Sequence, residues 1–440
     1  MNRRQAIVGG AGYLTIAGIA AARMRIPSQP AHRSDSLVGR TVNLRDYCAA
    51  DGRHVDTRDY QTLLDLRPST IIYPDNAILK LDRPTRLASN QEHVFGSNVR
   101  IEANVEDYAL SATGLIGQNL GNLTQPIDRY DQSIHLDVAP DVRSGDIIVL
   151  TDLSDPAAIR TDINVIQTIS GHSITTRYPI GRAFINDHFR IYHVYAPAQN
   201  ITFRGNLKAT NYHKSGGILR FVYSSNIKVE GLTINDCGYI GVSFENSIGG
   251  KFDEIRIDGS GASGLGFRSS KSIEINSFVA QNIRSDEALT FYDNVSFANA
   301  KKINIKQYSF KERDENETAG NNILIDMECS NIRLSNVVCK GSSTYNVMIH
   351  NNSNFCSIEQ FALSSSNLGG IRISKNSNNN KIGNGTISDV LDFTDTEAKK
   401  PVSGISIGQS CSGTVVSKNI TFERIAAGNR IIWWHDAPAH

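Results

Sequence analysis

"GGILRFVYSSNIKVEGLTINDCGYIGVSFENSIGGKFDEIRIDGSGASGLGFRSSKSIEINSFVAQNIRSDEALTFYDN" runs from Gly216 to Asn294. It contains four short apolar–polar–apolar triplets, "LRF", "VSF", "LGF" and "LTF", that end at Phe221, Phe244, Phe267 and Phe291. The same triplet returns as "ILI", "VMI", "IRI" and "ISI", ending at Ile325, Ile349, Ile373 and Ile407. The steps between these end residues are 23, 23, 24, 34, 24, 24 and 34. A second alternation follows within the repeat ("IKV" at Ile227, "IEI" at Ile273, "INI" at Ile303, "IRL" at Ile332), and then a third ("LTI" at Leu232, "IRI" at Ile255, "FAL" at Phe361). Asn, Ser and Gly, the residues of tight turns, lie between them. Three short strands per ~23-residue repeat predict a parallel β-helix. A leucine-rich repeat of similar period would carry a fixed Leu/Asn consensus, which is absent. The two longer steps hold polar insertions, "KERDENETAG" at 311–320 and "LDFTDTEAKK" at 391–400, which read as loops on one flank.

Working outward, the segment before the repeats reads "VNLRDYCAADGRHVDTRDYQTLLDL", then "STIIYPDNAIL". It predicts a strand, a polar loop, a short helix and another strand. Val42, Asn43, Asp46, Gly52, Asp56, Thr57 and Gln61 match the opening of the pectate-lyase-like superfamily, which this sequence resembles; Cys48 stands where that opening has Gly. The resemblance implies a right-handed, single-stranded helix whose first coil is capped by the short α-helix, which blocks edge-to-edge pairing. "VRSGDIIVLTD", "NVIQTISGHSITTRYPI" and "NITFRG" resemble a β-rich insertion common in that superfamily, with Gly171-His172 as a hairpin turn. The expected all-β organisation is an export signal at 1–30, cap and first coils at 40–136, an inserted β-rich subdomain at 137–195, helix coils at 196–425 and a tail at 426–440.

The chain has 440 residues and a formal net charge of +1, so no global field marks it for nucleic acid. Arg3 and Arg4 precede an uncharged run from Ala6 to Ala22 that ends in small residues. That is the pattern of an export signal, with the paired arginines admitting the twin-arginine route, and it predicts a periplasmic or secreted protein. A membrane anchor is the alternative for the same run; no later stretch is long and apolar enough to span. The six cysteines show no C-x-x-C spacing and so no zinc site. Cys329 and Cys356 are either a disulfide or, with the rest, small buried thiols.

Alternation also predicts which side chains face outward. The residue after each inner Phe or Ile forms one outward column, in which Glu245, Arg268, Tyr292, Asp326 and His350 occupy five consecutive turns ~4.8 Å apart. The residue before each forms a second column that includes Arg220 and Arg372. A shallow groove suited to a linear polysaccharide is expected here. Each residue also has a purely structural reading: Glu245 with Arg268 as a cross-strand ion pair, Tyr292 as a strand aromatic, Asp326 as a turn cap, His350 as a packed imidazole. Asp286, Glu287 and Asp293 are expected on the rims of one turn. Asp286 with Glu287 has the chemistry to ligate Ca²⁺, the one cofactor the sequence admits, or forms a solvated turn.

Two chemistries fit. In β-elimination on a uronate glycan, Arg268 neutralises the sugar carboxylate, Tyr292 and His350 exchange protons with C5 and the leaving oxygen, and Arg220 and Arg372 bind flanking carboxylates. C5 epimerisation shares the proton abstraction. Hydrolysis needs paired carboxylates, here Asp293 or Asp286 with Asp326. Glu245 and Asp326, about 14 Å apart, are too distant. The superfamily's polygalacturonases carry an Asp-Asp pair that is absent here. A third expectation is a tailspike-like or export-accessory protein that binds polysaccharide without cutting it. Elimination leads among the three.

Overall fold

The structure, a computed structural model, describes residues 37–47, 53–154, 159–185, 188–307, 320–391 and 402–434. The export-signal segment, Cys48, Gly52 and nearly all of the two polar insertions lie outside the described residues.

The described chain is a single-stranded right-handed parallel β-helix with an N-terminal cap and an inserted antiparallel subdomain. One wall is an 11-stranded parallel sheet and the other a 19-stranded sheet in which the second and third strands of each coil are joined through a bend. In the first wall Phe221, Phe244, Phe267, Phe291, Ile325, Ile349, Ile373 and Ile407 are paired one to the next in register. All eight are buried in one continuous core, because a period-2 strand with one apolar face has no alternative register that keeps that face dry. Phe267 and Phe291 stack at 5.4 Å between ring centroids. At the bends of the second wall the backbone turns through positive φ. Gly205 (φ +110°) meets the preceding coil so closely that a Cβ would lie 2.2 Å from the Phe95 carbonyl oxygen. Asparagine takes the αL position at another corner: Asn90, Asn200 and Asn226 stack there, with the Asn200 and Asn226 amides each donating to the side-chain carbonyl of the coil before at 2.7 Å.

The cap helix Thr57–Asp65 starts at Asp56, whose carboxylate accepts from the Asp59 amide at 2.9 Å. Its Tyr60, Leu63 and Leu64 close the first coil. Inside that coil the Tyr60 and Tyr73 hydroxyls are 2.7 Å apart, and the Tyr73 hydroxyl meets His93 Nδ1 at 2.7 Å. Burial lowers the His93 pKa to about 3. An unfolded histidine titrates near 6.5, so between the two values the unfolded chain binds the extra proton. Stability conferred by neutral His93 is therefore complete above about pH 6.5 and falls as pH drops, by roughly 3 kcal/mol at pH 4. In His93→Gln the loss of thermal stability between pH 7 and pH 4 is expected to shrink by about that amount, read from melting curves at both pH values. An unchanged acid sensitivity would remove His93 as its source.

The inserted subdomain begins earlier than residue 137. The chain leaves the solenoid at Leu115, which bridges Ala196, and returns in the strand Ala198–Asn211. Its five strands, Ser133–His135, Ile147–Asp152, Arg160–Ser170, Ser173–Thr176 and Phe189–Val194, form an antiparallel sheet with its own apolar core. Residues 115–132 carry no strand alternation and are held by isolated bridges, which is why the sequence hid them. The tail boundary also moves: Ile431–Trp434 pairs with Ser403–Gly408 as a further strand of the first wall. Cys237, Cys329, Cys339 and Cys356 are free, buried thiols, so Cys329 and Cys356 form no disulfide.

Candidate active-site groove

The outward column forms as the alternation requires. Val222, Glu245, Arg268, Tyr292 and Asp326 pair in sequence across adjacent strands, and His350 follows Ile349 on the next. Exposure divides the column. Glu245, Arg268 and Tyr292 are half-buried, whereas Asp326 and His350 are buried at 9% and 5%. Asp326 is held as a turn cap: two αL residues, Met327 and Glu328, follow it, and its Oδ1 accepts from the Met327 amide at 2.8 Å and from Asn351 Nδ2 at 2.7 Å. His350 Nδ1 lies 2.7 Å from the Ser374 hydroxyl. Arg372 is buried too, with its guanidinium over the Tyr345 ring and 3.2 Å from the Tyr345 hydroxyl. That aromatic engagement corrects the expectation that it reaches a flanking sugar carboxylate.

Two further expectations change. Glu245 does not pair with Arg268. It takes Arg220 instead, in a bidentate contact (Nε–Oε1 3.0 Å, Nη2–Oε2 3.1 Å) completed by Ser243 Oγ at 2.7 Å. Arg220 is thereby committed within the protein rather than to a substrate anion. Asp293 is not on a rim. It sits at φ +55° just past the strand, 2% exposed, between two guanidinium groups: Arg182 Nη2 at 2.6 Å and Arg268 Nε at 3.3 Å. Burial alone would raise its pKa, but Arg182 and Arg268 together hold it below the ordinary carboxylate value. Ser269 Oγ donates to it as well, at 3.1 Å. A carboxylate so occupied is a fixed counter-charge, not a reacting acid.

Arg182 comes from the inserted subdomain and also contacts Glu328 at 2.8 Å. The subdomain clasps the solenoid at a second buried point, where Lys271 Nζ meets Asp162 Oδ1 at 2.8 Å and Asn294 Nδ2 meets Asp162 Oδ2 at 2.6 Å. Gly181 allows this approach, since a Cβ there would lie 1.6 Å from Asn294 Oδ1. The insertion thus walls one side of the column. Neither Arg182 nor Asp162 was visible in the sequence as a partner of residues over a hundred positions away.

Arg268 emerges as the central cation. Its Nε is tied to Asp293, and among the described residues its two terminal nitrogens make no hydrogen bond, the side chain being 33% exposed. Tyr292 stands opposite on the next strand. Burial first, then the carboxylates of Asp326 and Asp293, raise its phenol pKa, so it stays protonated at neutral pH. Of the Asp286–Glu287 pair, Glu287 Oε1 accepts from Asn321 Nδ2 at 3.1 Å. Among the described residues no group of three or more His, Cys, Asp or Glu side chains is placed to hold a metal ion.

No protein-family model matches the sequence, and no curated protein matches it. Solved structures do match in shape. The tailspike of Pseudomonas phage phi297 aligns over 92% of this chain and 78% of its own, at 10% identity and a TM-score of 0.60. The mannuronan C-5 epimerase A-module of Azotobacter vinelandii aligns over 90% of this chain and 100% of its own, at 10% identity and a TM-score of 0.45. A family 28 exopolygalacturonase of Yersinia enterocolitica aligns over 91% and 79%, at 10% identity and a TM-score of 0.38. Identity this low speaks to architecture and not to chemistry. In fold, the chain is a single-stranded right-handed parallel β-helix.

Proposed function

We propose that the protein is an exported, periplasmic or secreted enzyme that cleaves a uronate-containing polysaccharide by β-elimination in the groove around Arg268. The observation that supports this most is the state of Arg268: anchored through Nε by Asp293, its partly exposed guanidinium keeps two further donors on the column beside a protonated phenol. Fixed donors aimed at a substrate carboxylate stabilise the enolate-like charge that develops when C5 loses its proton. In this reading water in the groove takes the C5 proton, the electron pair forms the C4–C5 double bond, the C4–O4 bond breaks, and O4 takes the Tyr292 proton, which solvent restores. His350, three strands (~14 Å) from Arg268 and buried, takes no part in the transfer. Hydrolysis loses support because Asp293, one of its carboxylates, is neutralised by two arginines.

Incubation with a panel of acidic and neutral polysaccharides, following absorbance at 235 nm and reducing ends, tests the proposal. Absorbance with new reducing ends supports elimination. Reducing ends alone indicate a hydrolase, and retained binding without either indicates a non-catalytic accessory protein. Tyr292→Phe is expected to lower kcat about 100- to 1,000-fold with an unchanged circular dichroism spectrum, whereas His350→Ala is expected to change kcat little. As a donor with a raised pKa, Tyr292 should impose no alkaline decline below about pH 10. A kcat that climbs steadily with pH through this range would make the phenol a base and reverse its role.

A further inference from the structure

The groove has a second half. The column beside Glu245, Arg268 and Tyr292 carries Ser243, Gly266 and Thr290 on consecutive strands, aligned in register. These small residues form a floor one side chain wide. Ile240 and Tyr239 stand on its far side: a Cβ built on Gly266 would meet Ile240 Cγ2, at 3.7 Å, and the Val242 carbonyl oxygen of the adjacent strand at 4.0 Å. Tyr239 is half-buried and meets Tyr108 edge-on, with ring centroids 6.2 Å apart. Tyr108 in turn lies under the Arg220 guanidinium at 5.5 Å.

The two ends of this floor offer different chemistry. At the Arg268 turn, a partly exposed guanidinium stands on the column with only its Nε bonded to a carboxylate. One turn toward the N-terminus, both oxygens of Glu245 and two nitrogens of Arg220 are consumed by one another and by Ser243. That turn has no net charge to give an anion. It offers a tyrosine face and the remaining lone pairs of a carboxylate, which are the partners of a neutral pyranose: C–H groups against the ring, hydroxyls to the oxygens. One strand step, ~4.8 Å, is about the length of one sugar unit.

Resting on the uronate reading above, we infer that the turn of Glu245, Arg220, Ser243 and Tyr239 is a subsite for a neutral sugar, so that the substrate is a mixed chain in which a neutral unit adjoins the uronate held by Arg268.

Affinity electrophoresis tests this in gels cast with all-uronate chains (polygalacturonate, alginate) or chains alternating uronate with neutral sugars (hyaluronan, heparosan). The wild-type protein is expected to be retarded at least tenfold more strongly by an alternating chain than by either homopolymer. Tyr239→Ala should weaken that retardation about tenfold. Glu245→Gln frees the Arg220 charge and should shift the preference about tenfold toward the homopolymers. Gly266→Leu, which the backbone accommodates at an ordinary φ, should block the floor and abolish retardation by every chain. A wild-type preference for homopolymers, or a preference unmoved by Glu245→Gln, overturns the neutral subsite while leaving the uronate reading intact. Retardation by neutral glycans alone, or by none of the chains, overturns both.

Discussion

Arg268→Met is expected to lower turnover of a uronate glycan about 1,000-fold while leaving the melting temperature nearly unchanged. The two halves of that expectation have separate causes. Loss of turnover follows from removing the half-buried arginine of the outward column, a cation held in place beside Tyr292 by a buried carboxylate; Arg220 is spent on Glu245 and Arg372 is buried. Without a fixed cation, the developing carbanion must be stabilised by water, and one well-placed donor is worth about 100- to 1,000-fold in rate. Small loss of stability follows because Asp293 keeps its shorter contact, to Arg182 at 2.6 Å, and its bond from Ser269. The Arg268 contact is longer, and that side chain is one-third exposed, so its ion pair contributes about 1 kcal/mol at most. Arg268→Lys keeps the charge but not the fork or the Nε anchor, and intermediate activity is expected. Wild-type turnover in Arg268→Met would remove the electrophile from the elimination reading. A collapse of the fold would show that Arg182 does not hold Asp293 by itself.

What the sequence made legible is what periodicity controls. Phe221 through Ile407 form one inner ladder and Glu245 through His350 one outer column, because strand alternation and coil length fix both, and a slip by one residue would expose the whole core. Partnerships were not legible, because long side chains choose among neighbours. Glu245 faces Arg268 directly across the strands, yet pairs diagonally with Arg220. The reason is Asp293, which draws Arg268 in the other direction from a turn position. Asp293 appeared to be a rim residue because solvent normally covers a turn. Here an insertion over a hundred residues away supplies Arg182 and covers it. Asp326 illustrates the opposite case. Its capping role was a local reading open from the start, and two αL residues after it made that role decisive.

Arg182→Met is expected to cost about 3–5 kcal/mol, the largest stability effect of any single change considered. Arg182 is 2% exposed and contacts two carboxylates, Asp293 at 2.6 Å and Glu328 at 2.8 Å. Methionine fills similar volume but leaves Asp293 buried with the longer Arg268 contact and the Ser269 hydroxyl. The penalty is that of a desolvated charge left short of a partner, which exceeds the net value of the ion pair itself. The same argument names the rescue. Adding Asp293→Asn and Glu328→Gln to Arg182→Met removes the stranded charges and should recover more than half of the loss, whereas Asp293→Asn alone in the wild type should destabilise. Thermal and urea unfolding of the four proteins measure this coupling. Activity separates two roles for the clasp. Asp293 orients Arg268, so the rescued triple variant should regain stability yet remain slow, with kcat reduced more than KM rises. Full recovery of kcat in that variant would mean that Arg268 finds its orientation without Asp293. An Arg182→Met cost below about 1 kcal/mol would mean that Lys271 and Asp162, at the second buried contact, hold the inserted subdomain to the solenoid without it.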